Sequence, residues 1–167
     1  MFRTRDFLML DVIDINNKRV GLIKDVLFNF SSGKVVGFLI SSYSIFTKNL
    51  CVLTRDIISF DRIMVVKKAV REVHPCFQEL KGMDVYDTRG DLLGIVEDIM
   101  YDNNYDIKGV IVTSGIIKKM FTGKRVMLIN ELIFGEKNVL FYGNGDKFSF
   151  IRVPHKIIGV DNNEKNL

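Results

Sequence analysis

The chain has 167 residues, of which 47% are apolar and 26% charged, with a formal net charge of +4. That is room for one large domain or two small ones with an ample core. Two cysteines make no disulfide framework, and no apolar run approaches the roughly 20 residues of a membrane-crossing helix.

The start, "MFRTRDFLMLD", has Asp6 and Asp11 bracketing its apolar part and no small-residue cleavage signal after it. It reads as the beginning of the fold, not a secretory peptide, and the expected location is the cytoplasm. Strands are expected in "RDFLMLDVID", "KRVGLIKDVLFNF", "KVVGFLISS", "NLCVLT" and "DRIMVVK". These are short stretches rich in β-branched and apolar residues. "RDIISF", before the last of them, fits a strand or a short helical turn. A break falls near Val70–Leu80, where His74, Pro75 and Cys76 interrupt the apolar pattern. The strands then resume in "KGMDVYD", "LLGIVEDIMYD", "IKGVIVTS", "RVMLINELIF", "KNVLFY" and "DKFSFIRVP", and "DNNEKNL" is a polar tail.

The second series repeats the first. "DVIDINNKRVGLIKDVLF" (Asp11–Phe28) lies over "DVYDTRGDLLGIVEDIMY" (Asp84–Tyr101). Gly21 then meets Gly94, Asp25 meets Asp98, and Asp14 meets Asp87. Past one deletion, Gly33–Ser42 lies over Tyr105–Ser114, so Gly37 meets Gly109. Val52–Phe60 lies over Met127–Gly135. Likeness of this length marks a duplicated unit. Asn16–Asn17 and Gly90 sit where a tight hairpin turn needs positive φ. Gly37 and Gly109, inside strands, indicate a bulge or sharp bend. The expected fold is all-β: two tandem small antiparallel β-barrels of about five or six strands each. Each would curl around its own core, over 1–75 and 76–160, with 161–167 as the tail. Closure would remove exposed sheet edges.

The doubled pattern of strand, turn, "G-x-[IV]-x-D-[VI]", turn and glycine-containing strand resembles the PRC-barrel family. It rests on Gly21, Asp25 and Gly37, and again on Gly94, Asp98 and Gly109. The family includes the cytoplasmic domain of the photosynthetic reaction centre H subunit and the C-terminal domain of a ribosome-maturation factor. Small proteins of this kind also occur in spore-forming bacteria. The resemblance implies an adaptor without a common catalytic activity.

The residues themselves give little chemistry. Asp14, Asp25, Asp87 and Asp98 are explained as acceptors of turn N–H groups, and neither Asp-rich turn has the twelve-residue calcium pattern. His74, Cys76 and the distant His155 fall short of a four-ligand zinc site. His74 and Cys76 come with no third group to orient a base, so they make no nucleophile pair. No cofactor, metal or catalytic residue is expected. Charge is uneven: the first half, to Pro75, has 12 basic and 7 acidic residues, and the remainder 12 and 13. Lys67–Lys68, with Arg62, Arg71, Arg3 and Arg5, offers a basic surface to nucleic acid or another anionic partner, although no dense stripe with interleaved aromatics is visible. Two loops that differ in length share an apolar pair followed by threonine: Ile45–Phe46 and Met120–Phe121. Lys48, Lys118, Lys119, Lys124 and Arg125 accompany them. Such loops suit docking of an unidentified protein partner or contact with an anionic membrane. Alternatively Phe46 and Phe121 plug the open ends of their own barrels or pack between the two barrels. A homo-oligomer is compatible with the exposed edges.

Overall fold

In a computed structural model, the described residues are 1–43, 49–114, 124–143 and 149–150. The first half supplies β1 (Phe2–Arg3), β2 (Asp11–Asp14), β3 (Arg19–Asn29), β4 (Lys34–Ser42), β5 (Leu50–Leu53), β6 (Ile57–Phe60), β7 (Ile63–Val66) and β8 (Val70–Arg71). A one-turn helix, α1 (Phe77–Leu80), leads into β9 (Asp84–Asp87), β10 (Leu92–Tyr101), β11 (Ile107–Thr113), β12 (Lys124–Leu128), β13 (Leu132–Phe134), β14 (Asn138–Phe141) and β15 (Ser149–Phe150). No helix among the described residues is long and apolar enough to cross a membrane.

Two sheets result, ordered β6-β7-β2-β3-β4-β5-β8 and β13-β14-β9-β10-β11-β12-β15. The orders match strand for strand, as the repeat requires. Neighbours are antiparallel except β2–β7 and β9–β14, which run parallel. "RDIISF" turns out to be both things it fits: a 3-10 turn at Thr54–Asp56 and then β6. Its counterpart, Ile129–Glu131, precedes β13 in the same way.

The hairpin turns form by the expected chemistry. Asp14 Oδ1 accepts the N–H groups of Asn16 and Lys18 at 2.8 and 2.9 Å. Asp87 Oδ1 accepts those of Arg89 and Asp91 at 2.8 and 2.9 Å. Asn17 and Gly90 take the left-handed conformation, with φ of 61° and 86°.

Two expectations are corrected. The sheets are not closed barrels, and the strand path of each ends at two strands that do not pair with each other. Nor does each half enclose a private core. One cluster joins Val12, Ile23, Val26, Phe38, Val52 and Met64 of the first half to Val85, Val96, Ile99, Val110 and Val139 of the second. The physical reason is size. About 75 residues bury too small a fraction of their surface to be comfortably stable alone, and pooling two open sheets around one core raises that fraction.

The halves also exchange backbone bonds. β1 leaves the first sheet and pairs with β10, with Phe2 opposite Tyr101 and Arg3 opposite Met100. At the equivalent place in the first sheet, Cys76 bridges to Leu27 and Phe28 N–H donates to the Pro75 carbonyl at 3.1 Å. Val35 N–H donates to the Tyr105 carbonyl and Ile107 N–H to the Gly33 carbonyl, both at 2.8 Å. Phe30 stacks on Phe134 with ring centroids 4.4 Å apart.

Candidate functional site

The matched glycines and aspartates are architectural. A Cβ on Gly21 would lie 2.3 Å from the Ser41 carbonyl oxygen, and one on Gly94 2.4 Å from that of Thr113. On Gly37 it would meet the Val52 carbonyl oxygen at 2.4 Å, and on Gly109 that of Met127 at 2.5 Å. The expected bulges sit beside these last two: register slips between Leu27 and Phe28, opposite Gly37, and between Met100 and Tyr101, opposite Gly109.

A second pair of bulges precedes the aspartates. The register slips between Ile23 and Asp25, and between Val96 and Asp98. An extra residue inverts the alternation of a strand. Asp25, opposite Leu39, and Asp98, opposite Ile111, therefore lie on the face away from Ile23 and Val96, and both are buried while Lys24 faces solvent. Each carboxylate then reaches the opposite half. Asp25 Oδ2 accepts the Gln78 N–H at 2.9 Å, at the start of α1. Asp98 Oδ1 accepts the Thr4 N–H at 3.0 Å, in the N-terminal 3-10 turn. Burial pushes the Asp98 carboxyl above its ordinary value, against the N–H donors of Thr4 and Ile99. The aspartates thus fix turns, as read from the sequence, but the turns belong to the other copy.

Of the candidate docking residues, Ile45, Phe46, Lys48, Lys118, Lys119, Met120 and Phe121 lie outside the described residues. Lys124 and Arg125 open β12. The Lys124 ammonium is bonded to the Glu97 carboxylate, so it is not a free steering charge. Arg125, opposite Val112 in β11, lines a cleft at the end of its sheet.

That cleft, of about 380 Å³, is bounded by Asp87, Arg89, Leu93, Arg125, Glu131 and Phe141, among others. A second cleft, of about 540 Å³, occupies the equivalent place in the first half. Asp14 corresponds to Asp87, Val20 to Leu93 and Leu50 to Arg125. The charge differs. Among the described residues, the second-half cleft holds two cations and two carboxylates, and Arg89 is bonded to Asp87 at 3.0 Å. The first-half cleft gathers, among the described residues, Lys18, Arg19, Lys67 and Lys68 against Asp14. Lys67 and Lys68 were legible as a basic pair. Lys18 and Arg19 join them only because β7 runs parallel to β2, a pairing no local pattern announces. Arg3, grouped with them by composition, is buried against Asp6 instead.

The His74–Cys76 segment offers no nucleophile. Burial, followed by the Asp25 and Glu79 carboxylates, pushes the Cys76 thiol up to about 11, so it stays protonated at neutral pH. His74 turns to Glu72, Nε2 to Oε2 at 2.9 Å. Among the described residues no three His, Cys, Asp or Glu side chains group to hold a metal ion.

The model of the PRC-barrel domain matches residues 1–71 and again 77–167. The chain belongs to the PRC-barrel family. It carries two tandem copies of that domain, which accounts for the doubled motif. PRC-barrel domains are non-catalytic scaffolds, and membership places this chain outside the enzymes. No curated protein matches the chain.

Proposed function

We propose that this tandem PRC-barrel protein is a non-enzymatic adaptor that docks a protein partner through the β4–β5 and β11–β12 loops. The observation that carries this reading is the mutual locking of the two halves. A shared core and reciprocal backbone bonds hold both loop bases in one body. The loop bases also rim the equivalent clefts, through Ser42, Tyr43 and Leu50 on one side and Arg125 on the other. Loop bases held in one body favour one partner geometry over others and lower the ordering cost of binding, and the loops they carry include the apolar pairs Ile45–Phe46 and Met120–Phe121.

Crosslinking and capture from the native cell, comparing wild type with Phe46→Asp and Phe121→Asp, tests the proposal. Each variant is first checked for an unchanged melting temperature. Loss of the same captured protein in both variants is expected; undiminished capture by folded variants removes these loops from the account.

A second reading, association with RNA or the ribosome, draws on the cations of the first-half cleft. Retention on ribosomal RNA that falls steeply as salt rises would favour it over protein docking. Co-sedimentation with anionic vesicles would favour the remaining alternative, peripheral membrane contact.

A further inference from the structure

We infer that the first-half cleft binds a short acidic peptide segment, an inference that rests on the adaptor reading and names the chemistry of one contact. Lys18 and Arg19 arrive from the β2–β3 hairpin, and Lys67 and Lys68 from the turn after β7. All four are exposed, and among the described residues none of them is in an ion pair. The one carboxylate in the cleft among the described residues, Asp14, already accepts two turn N–H groups. Uncompensated like charges held around one concavity repel each other, and an anionic ligand relieves that repulsion.

The fold does not demand this charge. The equivalent cleft, built from the same strands and turns, carries balanced charge with Arg89 neutralised locally. The basic character belongs to one copy and is separable from the scaffold.

The lining favours a peptide over other anions. Val20, Leu50 and Ala69 are half-buried and packed on the core, giving the cleft an apolar floor for aliphatic side chains. Tyr43 is its one aromatic among the described residues, and the Tyr43 hydroxyl donates to Asp11 Oδ1 at 3.1 Å. Single-stranded nucleic acid is held by successive stacking platforms along a basic groove, and among the described residues the cleft has one ring. Four cations spread over two chain segments suit several carboxylates better than a single phosphate.

The test uses the full chain and fluorescently labelled six-residue probes at about 50 mM salt, where surface charge is weakly screened. One probe alternates glutamate and leucine; another is an oligouridylate RNA; a third is the peptide with glutamine for glutamate. The acidic peptide is expected to bind tightest. Lys67→Glu with Lys68→Glu should weaken it by about tenfold or more, while Arg89→Glu in the other cleft leaves it within about twofold. If the Lys67/Lys68 variant fails to fold, Lys18→Gln with Arg19→Gln supplies the same comparison. Equal binding of the glutamine peptide, tighter binding of RNA, or retention of affinity by the cleft variant overturns the inference. None of these changes touches Phe46 or Phe121. Failure here leaves loop-mediated capture standing, and failure of that capture leaves this result standing.

Discussion

The Thr4 backbone N–H donates to Asp98 Oδ1 at 3.0 Å across 94 positions of the chain. The contact is buried, and it is the mirror of the bond from Gln78 N–H to Asp25 Oδ2. Neither donor has a substitute within its own half, since Thr4 opens a 3-10 turn and Gln78 lies in the first turn of α1. Asp98→Ala should therefore lower unfolding free energy by about 1–3 kcal/mol, the cost of stranding a buried donor. Asp25→Ala should cost less, because the Gln78 side is only part-buried. Urea denaturation of both variants measures this, and equal, negligible losses would show the bonds to be incidental.

Asp98 also sets a pH dependence. Its folded-state carboxyl lies above its ordinary value, chiefly through burial. The folded state then takes up this proton more readily than the unfolded chain. The resulting stabilisation is complete below the unfolded value of about 3.9 and is lost as pH rises through the folded value. Asp98→Asn removes the term. From pH 7 to pH 4 the stability difference between wild type and this variant should move in favour of wild type. A gap that stays constant across that range would mean the carboxyl titrates alike in both states.

Three left-handed positions hold glycine in one copy and another residue in the other. Gly82 answers Met9, Gly90 answers Asn17, and Gly33 answers Tyr105, with φ between 61° and 88° throughout. Asparagine tolerates this conformation; methionine does not. Met9 is 70% exposed, so its side chain contributes little burial. Met9→Gly should raise stability by about 0.5–1 kcal/mol, the strain relieved less the extra freedom of the unfolded glycine. Thermal and urea unfolding would show it, and a destabilised variant would mean Met9 packs in a way its exposure conceals.

Gly37 and Gly109 are constrained by space. Alanine at either would press a methyl against a backbone carbonyl at 2.4 or 2.5 Å, and backbone cannot step aside as a flexible side chain can. A loss of about 2 kcal/mol or more is expected for each. Gly90→Ala, where nothing lies within 4 Å, should show only the cost of its positive φ. Side-by-side denaturation separates steric from conformational cost; equal losses at all three sites would contradict the distinction.

The parts of this fold that were legible are those set by neighbours in sequence. The Asp14 and Asp87 turns, the left-handed Asn17 or Asn16 opposite Gly90, and the bulges beside Gly37 and Gly109 all follow from a few adjacent residues. The imperfect alternation of "GLIKDVLF" was visible, but its cause was not. The bulge at Lys24 resets the phase, and residues 25–28 are then covered from both sides, by the common core and by Leu53, Val70 and Cys76. That second cover comes partly from the inter-repeat segment. Its register against Leu27 depends on a meeting between distant pieces, which no window of sequence encodes. The same limit hid the departure of Phe2–Arg3 to the other sheet and the convergence of Lys18 and Arg19 on Lys67 and Lys68.

The reciprocity of the two copies has a geometric meaning. Among the described residues the exchanged backbone bonds come in reciprocal pairs: Phe2 against Tyr101 with Pro75 against Phe28, and Val35 with Tyr105 against Ile107 with Gly33. That is the isologous geometry of a two-fold homodimer, here written into one polypeptide. Joining such a pair in one polypeptide lets each copy differ where the shared contacts do not constrain it, and the unequal charge of the two clefts is one such difference.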